Sequence, residues 1–395
     1  MAHRTSLVGL CLRAIMVFTL IACTPLSAQS ASPPTLADLW TGRAEFVTEQ
    51  KRTGLPMGES DTVIAPNGEW WSFVHASARS AGIKDSCGAP VTFPGCVVIY
   101  TSHDAGQSFG LDAPVCQIKC NTCPCDAERD HPQQQQYPRV VVQNGVWLMA
   151  YEFGAKSFVR GSRDGQNWGD EQWVFDTGVW THEIRTCQPW EQVRPHPFAK
   201  ANYECLAGGP PGIRVDGNTI YVFVGLGQDP GAMGCFVLPF ARGDGLRIGA
   251  AARAQPCAHN PLFIGNWQYG DLHDVGVASN THFDFRTISA AKVIKTSDRY
   301  YMLYEGVRGP GPIDVGDNQF GLGLARSVTG RIDGPWEKMS QPILANLPGN
   351  IGIGHADIVV VPNGETILFT SLDGISRSRL RLVWKTPGPQ AAPSK

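Results

Sequence analysis

Five stretches of the chain repeat one pattern of apolar and polar positions. An apolar, β-branched run meets a tight polar turn, and an aromatic-rich run follows. The stretches are Val63–Val74 (VIAPNGEWWSFV), Val140–Tyr151 (VVVQNGVWLMAY), Ile213–Val224 (IRVDGNTIYVFV), Val293–Tyr304 (VIKTSDRYYMLY) and Ile358–Thr370 (IVVVPNGETILFT). Asn-Gly and Asp-Gly tolerate the positive φ that a two-residue hairpin turn needs, so each stretch predicts a β-hairpin. Further strand-like sequence follows the hairpins, as in VVIYTSHDAGQSFG, KSFVRGSRDGQNW and RLRLVWK. Two hairpins per unit make a four-stranded sheet. Five such sheets set radially make an all-β, five-bladed β-propeller, which leaves only short edges exposed. The fifth unit ends one strand short, and Ala44–Gln50 (AEFVTEQ) is available to close the ring. The alternative is a β-sandwich, although five matched hairpins fit poorly into two sheets.

Two turns carry a second pattern: Ser102-x-Asp104-x-Gly106-x-x-Phe109 and Ser162-x-Asp164-Gly165-x-x-Trp168, with a looser version from Ser327 to Trp336. They resemble the Asp-box turns of sialidase-type propellers. There the Asp caps the turn through backbone N–H groups and the aromatic packs between sheets, so Asp104 and Asp164 are read as structural.

Composition adds limits. The chain has 395 residues, 43% hydrophobic and 17% charged, with a formal net charge of -2. That balance offers no basic footprint for nucleic acid. Arg4 and Arg13 precede a short apolar stretch, Ala14–Ala22, which reads as the export signal of a bacterial protein and is too short to span a bilayer. Two cleavage sites compete. Leu26-Ser27-Ala28 is an ordinary signal-peptidase site, and Leu20-Ile21-Ala22-Cys23 is a lipoprotein box that would lipidate Cys23. The expected divisions are a signal over 1–28, a linker over 29–43, the propeller over 44–386 and a tail over 387–395.

Without Cys11 and Cys23, ten cysteines remain, and disulfides are the expectation for an exported chain. Cys87 and Cys96 bracket a short loop, Cys187 and Cys205 a longer one, and Cys235 and Cys257 another. Cys116, Cys120, Cys123 and Cys125 crowd together, with a metal cluster as the alternative. The pairing stays open.

Three connections into inner strands are long: Leu111–Tyr137, Asp176–Gly209 and Ala258–Thr287. Long loops on a rigid scaffold are where sites are built. The second carries Trp180, Trp190 and Glu204. The third carries Trp267, Asp274 and Asp284. Exposed aromatics beside carboxylates suit sugar rings, whose apolar faces stack while the hydroxyls bond to acids. The competing reading is that each Trp packs its loop down.

Three places carry a family resemblance. Asp61 stands ten residues before Trp71, at the start of the first inner strand. Gly352-Ile-Gly354-His355 opens the fifth unit. Tyr300–Tyr304 with Gly334-Pro335-Trp336 forms the fourth. In these respects the chain resembles the five-bladed glycoside hydrolases of the arabinanase, β-xylosidase and fructosidase type (families 43, 32 and relatives). The resemblance implies hydrolysis of a poly- or oligosaccharide by two carboxyls, one acid and one base or nucleophile. Asp61 is then the base candidate. The chain departs from that group at the second, third and fourth inner strands, which begin Tyr137-Pro138, Gly209-Pro210 and Ser289-Ala290 where an acid is usual. The general acid must come from a loop, with Glu204, Asp274 and Asp284 as candidates. His355 and Asp357 read as a pKa-tuning pair or a channel metal site, for which Ca2+ is the candidate ion. With Trp180, Trp190 and Trp267 they form the expected substrate-binding set. The expected partner is a carbohydrate and the expected state a monomer. Two other readings remain, a carbohydrate-binding propeller without catalysis and an exo-sialidase. The sialidase needs an arginine triad and a Tyr–Glu pair, for which Arg139, Arg160, Arg286, Tyr304 and Glu305 are available.

Overall fold

The computed structural model describes residues 32–76, 82–91, 95–120, 122–125, 135–153, 156–169, 171–176, 207–226, 231–240, 254–265, 282–284, 287–308, 319–345 and 353–386. The export signal, Cys23 and the tail over 387–395 lie outside them, as do Trp180, Trp190, Trp267, Glu204, Asp274, Cys187 and Cys205.

A short helix, α1 (Leu36–Trp40), is capped reciprocally by Thr35 and Asp38 and sits within the segment expected as a linker. Strand β1 (Ala44–Gln50) follows. The first blade holds β2 (Ser60–Ile64), β3 (Trp70–Ala76) and β4 (Cys96–Ser102). The second holds β5 (Gln136–Gln143), β6 (Val146–Phe153), β7 (Lys156–Ser162) and β8 (Gln172–Asp176). In the third are β9 (Ala207–Asp216), β10 (Thr219–Leu226), β11 (Ala232–Pro239), β12 (Gln255–Pro256) and β13 (Phe263–Ile264). The fourth comprises β14 (Thr287–Lys295), β15 (Tyr300–Arg308), β16 (Gln319–Ser327), β17 (Trp336–Lys338) and β18 (Leu344–Ala345). The fifth comprises β19 (Asp357–Val360), β20 (Thr366–Thr370) and β21 (Ser378–Trp384).

Every predicted hairpin is the first strand pair of a blade, and all five sheets are antiparallel. Strand β1 pairs with β21, so the N-terminal run completes the fifth blade and closes the ring. The cores confirm the cycle. Phe73 and Val97 meet Trp147 and Met149 between blades one and two. Leu148 and Val159 meet Val222 and Phe236 between two and three. Phe223 and Met233 meet Met302 and Tyr304 between three and four. Tyr301 and Leu322 meet Ile358 and Leu380 between four and five, where Leu36 and Leu39 of α1 also bury. Phe369 and Ile367 meet Trp70 and Val74 between five and one. Both faces of every sheet are therefore covered, which explains why these strands read as near-continuous apolar runs.

The two Asp-turns behave as caps. Asp104 Oδ1 accepts from the Ser108 N–H at 2.9 Å, and Asp164 Oδ1 accepts from the Gln166 and Asn167 N–H groups at 2.9 and 2.7 Å. Gly165 (φ +74°) lies against the Trp147 ring, where a Cβ would come within 2.9 Å, and Trp147 in turn stacks on Trp71 with centroids 5.2 Å apart. Four disulfides are described: Cys87–Cys123, Cys96–Cys116, Cys120–Cys125 and Cys235–Cys257. Cys87 and Cys96 thus take separate partners, and the crowded cysteines are bonded as disulfides.

Candidate active site at the channel mouth

The innermost strands β2, β5, β9, β14 and β19 surround the propeller axis. Each begins where the second strand of its blade ends, because the two are antiparallel. Register then brings Glu59 beside His75, Gln136 opposite Glu152, and Ser289 opposite Glu305. His355, just before β19, joins them. Four blades thus contribute Glu59, Glu152, Glu305 and His355 to one mouth of the channel.

His355 is the hub. Its Nδ1 lies 2.8 Å from Glu59 Oε1, and its Nε2 lies 3.2 Å from Glu305 Oε2. His75 Nδ1 bonds the other Glu59 oxygen at 3.0 Å, and Ser289 Oγ donates to Glu305 Oε1 at 3.1 Å. The Tyr137 ring covers His355 edge-on at 5.4 Å. Gly354 explains the Gly-x-Gly-His segment, since a Cβ there would collide with Glu305 Cγ and Oε2.

Burial and charge act differently on each group. Burial opposes charging His355, but Glu305 and Glu59 outweigh it and raise its pKa to about 9. Burial alone would raise Glu59, yet His355 and His75 hold it well below the usual carboxylate range. Glu152 is 2% exposed, and its Oε2 has no hydrogen-bond partner among the described residues. Burial, reinforced by the Glu59 charge and offset in part by His355, pushes Glu152 up to about 8. Of the three carboxyls at the mouth, two are therefore pushed in opposite directions, Glu59 toward the ionised and Glu152 toward the protonated form.

The backbone is irregular at the same level. Tyr137 and Ala290 both have φ of +54°, each inside a β-bulge, in β5 between Gln136 and Arg139 and in β14 between Ser289 and Lys292. Bulges re-aim side chains beside active sites, and a left-handed conformation in a residue with a Cβ is held only where the surroundings enforce it.

One layer deeper, Asp61 is fully buried. Its Oδ1 accepts from Lys292 Nζ at 2.6 Å and its Oδ2 from the Val140 N–H at 2.5 Å. Arg139 spans the axis, donating to the carbonyls of Ser60, Ala290 and Ala356 at 2.8, 3.2 and 3.3 Å. Arg377 bonds the carbonyls of Gly58, Phe369 and His355 at 2.9, 3.1 and 2.7 Å. Asp357 Oδ2 accepts from Ser60 Oγ and Thr62 Oγ1 at 3.0 and 3.1 Å. Burial raises the pKa of Asp357, with Arg377 opposing and Asp61 adding to it. In this layer Lys292 and Arg139 answer the charge of Asp61, while Asp357 is held by two hydroxyls and its Oδ1 has no hydrogen-bond partner among the described residues.

The structure therefore separates the expected site residues. Asp61 and Asp357 share the deep layer, and His355 sits at the mouth. Asp284 stands apart, bonded by Tyr304 Oη at 3.0 Å and Lys338 Nζ at 2.8 Å. Glu59 and Glu152 are absent from the acids expected at inner-strand starts and in loops, and Glu305 was expected only as half of a sialidase Tyr–Glu pair. The missed signal is a Glu at the far end of the second strand, in AYEF (150–153) and LYEG (303–306).

No family profile matches the chain, and no curated protein matches it. Solved structures do. A glycosyl hydrolase from Bacteroides ovatus matches with TM-score 0.50 and 12% identity, over 89% of this chain and 92% of that one. A candidate glycoside hydrolase from Parabacteroides distasonis matches with TM-score 0.51 and 13% identity, over 87% and 97%. A candidate glycosidase from Bacteroides thetaiotaomicron matches with TM-score 0.51 and 12% identity, over 89% and 93%. At these identities the likeness establishes the fold, a five-bladed propeller built along nearly the full length of each neighbour.

Proposed function

We propose that this chain is an exported glycoside hydrolase that cleaves a poly- or oligosaccharide at the channel mouth, with Glu152 as proton donor and Glu59 as its ionised partner. One arrangement carries the reading: Glu59 is held between the imidazoles of His355 and His75, while the buried Glu152 leaves Oε2 without a hydrogen-bond partner among the described residues. Two-carboxylate hydrolysis needs one group protonated and one ionised at the same pH, and environments that push two acids apart assign the roles. Glu152 keeps its proton because its site is buried, and it delivers that proton to the departing glycosidic oxygen. Glu59 is held as the carboxylate by two imidazoles. It either takes a proton from water or attacks the anomeric carbon. A separation of about 6.5–9.5 Å between the acting carboxyls gives inversion, and about 5–5.5 Å gives retention.

His355 acts through Glu59 and Glu305, fixing both. Asp61 is assigned a structural part, since both its oxygens are engaged below the mouth, and the base role passes to Glu59 two residues earlier. Export is supported by the leader pattern and by the described disulfides. No described helix is long and apolar enough to cross a membrane.

The test is hydrolysis of a polysaccharide panel by the wild type, Glu59→Gln and Glu152→Gln, with folding matched by circular dichroism. Loss in both variants supports the assignment, and activity retained in both overturns it. The burial of the cluster keeps a second reading alive, a propeller that binds glycans without cutting them. Binding without product release on every substrate selects it.

A further inference from the structure

The channel has a second compartment. Below the layer of Arg139, Asp61 and Lys292, a cavity of about 290 Å3 lies on the axis, lined from all five innermost strands, among them by Thr62, Val142, Arg214, Lys295 and Val360. Among the described residues, no carboxylate side chain belongs to its lining. Each innermost strand pairs on one side only. Its other edge turns unpaired backbone N–H and C=O groups toward the axis. One such N–H already holds an oxyanion of the protein itself, because the Val140 N–H and Lys292 Nζ together bind the Asp61 carboxylate. Hydrogen-bonding directions alternate along a strand, so the Val142 N–H, two residues on, leaves the same edge at the level of the cavity.

Arg214 supplies the second observation. Its buried Nε has no hydrogen-bond partner among the described residues, while Asp216, whose charge also reaches it, is bonded to Lys295 at 3.1 Å. Arg214 is half-buried, and a guanidinium N–H drawn out of water without an acceptor costs free energy that a bound anion relieves. The geometry points to a binding site for one small oxyanion, a phosphate or the carboxylate of a single sugar acid. Arg214 and the strand-edge N–H groups hold it as Lys292 and Val140 hold Asp61 one layer above. The volume sits near the lower limit of ligand pockets and suits a single small ligand. Arg139 separates this site from the acidic mouth, so an occupant stabilises the ring without entering the reaction. The inference stands whether or not the mouth hydrolyses glycans.

The test is calorimetric titration and thermal unfolding of the folded chain at constant ionic strength. The probes are inorganic phosphate, glucuronate and, as a neutral control, glucose. Phosphate or glucuronate should bind one per chain and raise Tm, since a ligand of the native state stabilises it by mass action. The tighter of the two identifies the source of the oxyanion. Arg214→Met should weaken binding about tenfold or more, and Arg214→Lys should lose less. If Arg214→Met does not fold, Val360→Trp fills the cavity from its exposed rim and should abolish binding equally. The inference is overturned if neither anion binds, if glucose binds as well as they do, or if binding survives Arg214→Met or Val360→Trp.

Discussion

Glu59 and His355 face each other across the seam between the first and fifth blades, with Oε1 and Nδ1 2.8 Å apart. They come from opposite ends of the propeller sequence and meet only because the ring closes. That pair fixes Glu59 as a carboxylate, and Glu152 from the second blade then carries the proton.

Replacing either acid by its amide should reduce kcat by roughly 100- to 10,000-fold, the usual range for a lost acid–base group. Asp61→Asn should act on a different axis, lowering the denaturation midpoint more than the rate of the protein that stays folded. A rate loss at Asp61 equal to that at Glu59, without loss of stability, returns the base role to Asp61.

The pH profile of kcat/KM should be bell-shaped. Glu152 loses its proton near pH 8, which sets the alkaline limb. Glu59 is protonated only well below 4.5, which sets the acid limb. His355→Gln removes the positive charge that lowers Glu59, so the acid limb should move toward neutral pH. An unmoved acid limb would falsify the role given to this pair.

Stability should fall as pH rises from 4.5 to 9. Glu152 and His355 both have folded pKa values above their ordinary 4.5 and 6.5, so folding favours their protonated forms. Their contributions are complete below the ordinary values and are lost as pH passes about 8 and about 9. Urea unfolding across this window should show the decline, and Glu152→Gln should flatten the lower part of it.

Arg139→Met leaves three inner-strand carbonyls and Asp61 without the guanidinium at the axis. The expected loss is about 3–5 kcal/mol by chemical denaturation, as for other buried charges deprived of a partner. Arg139→Lys should recover only part, because an ammonium on a flexible stem lacks the planar fork that reaches carbonyls of three blades.

Gly354→Ala should displace Glu305 with the fold intact. The cost of overpacking is about 1–3 kcal/mol, and the change should appear in kcat before it appears in Tm. Gly110→Ala, at an exposed position where a Cβ meets nothing within 4 Å, serves as the control for losing a glycine without a collision.

The repeat alone determined the fold. Five hairpins with matched turns, and one spare strand at Ala44–Gln50, leave few arrangements other than a closed ring of five sheets. Local chemistry decided as much for Asp104 and Asp164, whose bonds stay within a few residues. The site was not legible in the same way. Asp61 and Glu59 lie two positions apart on one strand, and nothing local says which is ionised at the mouth and which is tied off below it. Lys292, Arg139 and the Val140 N–H settle that from 231 and about 79 residues away. Glu152 and Glu305 read as strand-end residues until hairpin register and two bulges place them beside His355. Burial and the sum of neighbouring charges set a carboxyl's state, and both are properties of the assembled ring. The chain order therefore fixed the blades, and only the closed ring decided which of its acids hold a proton.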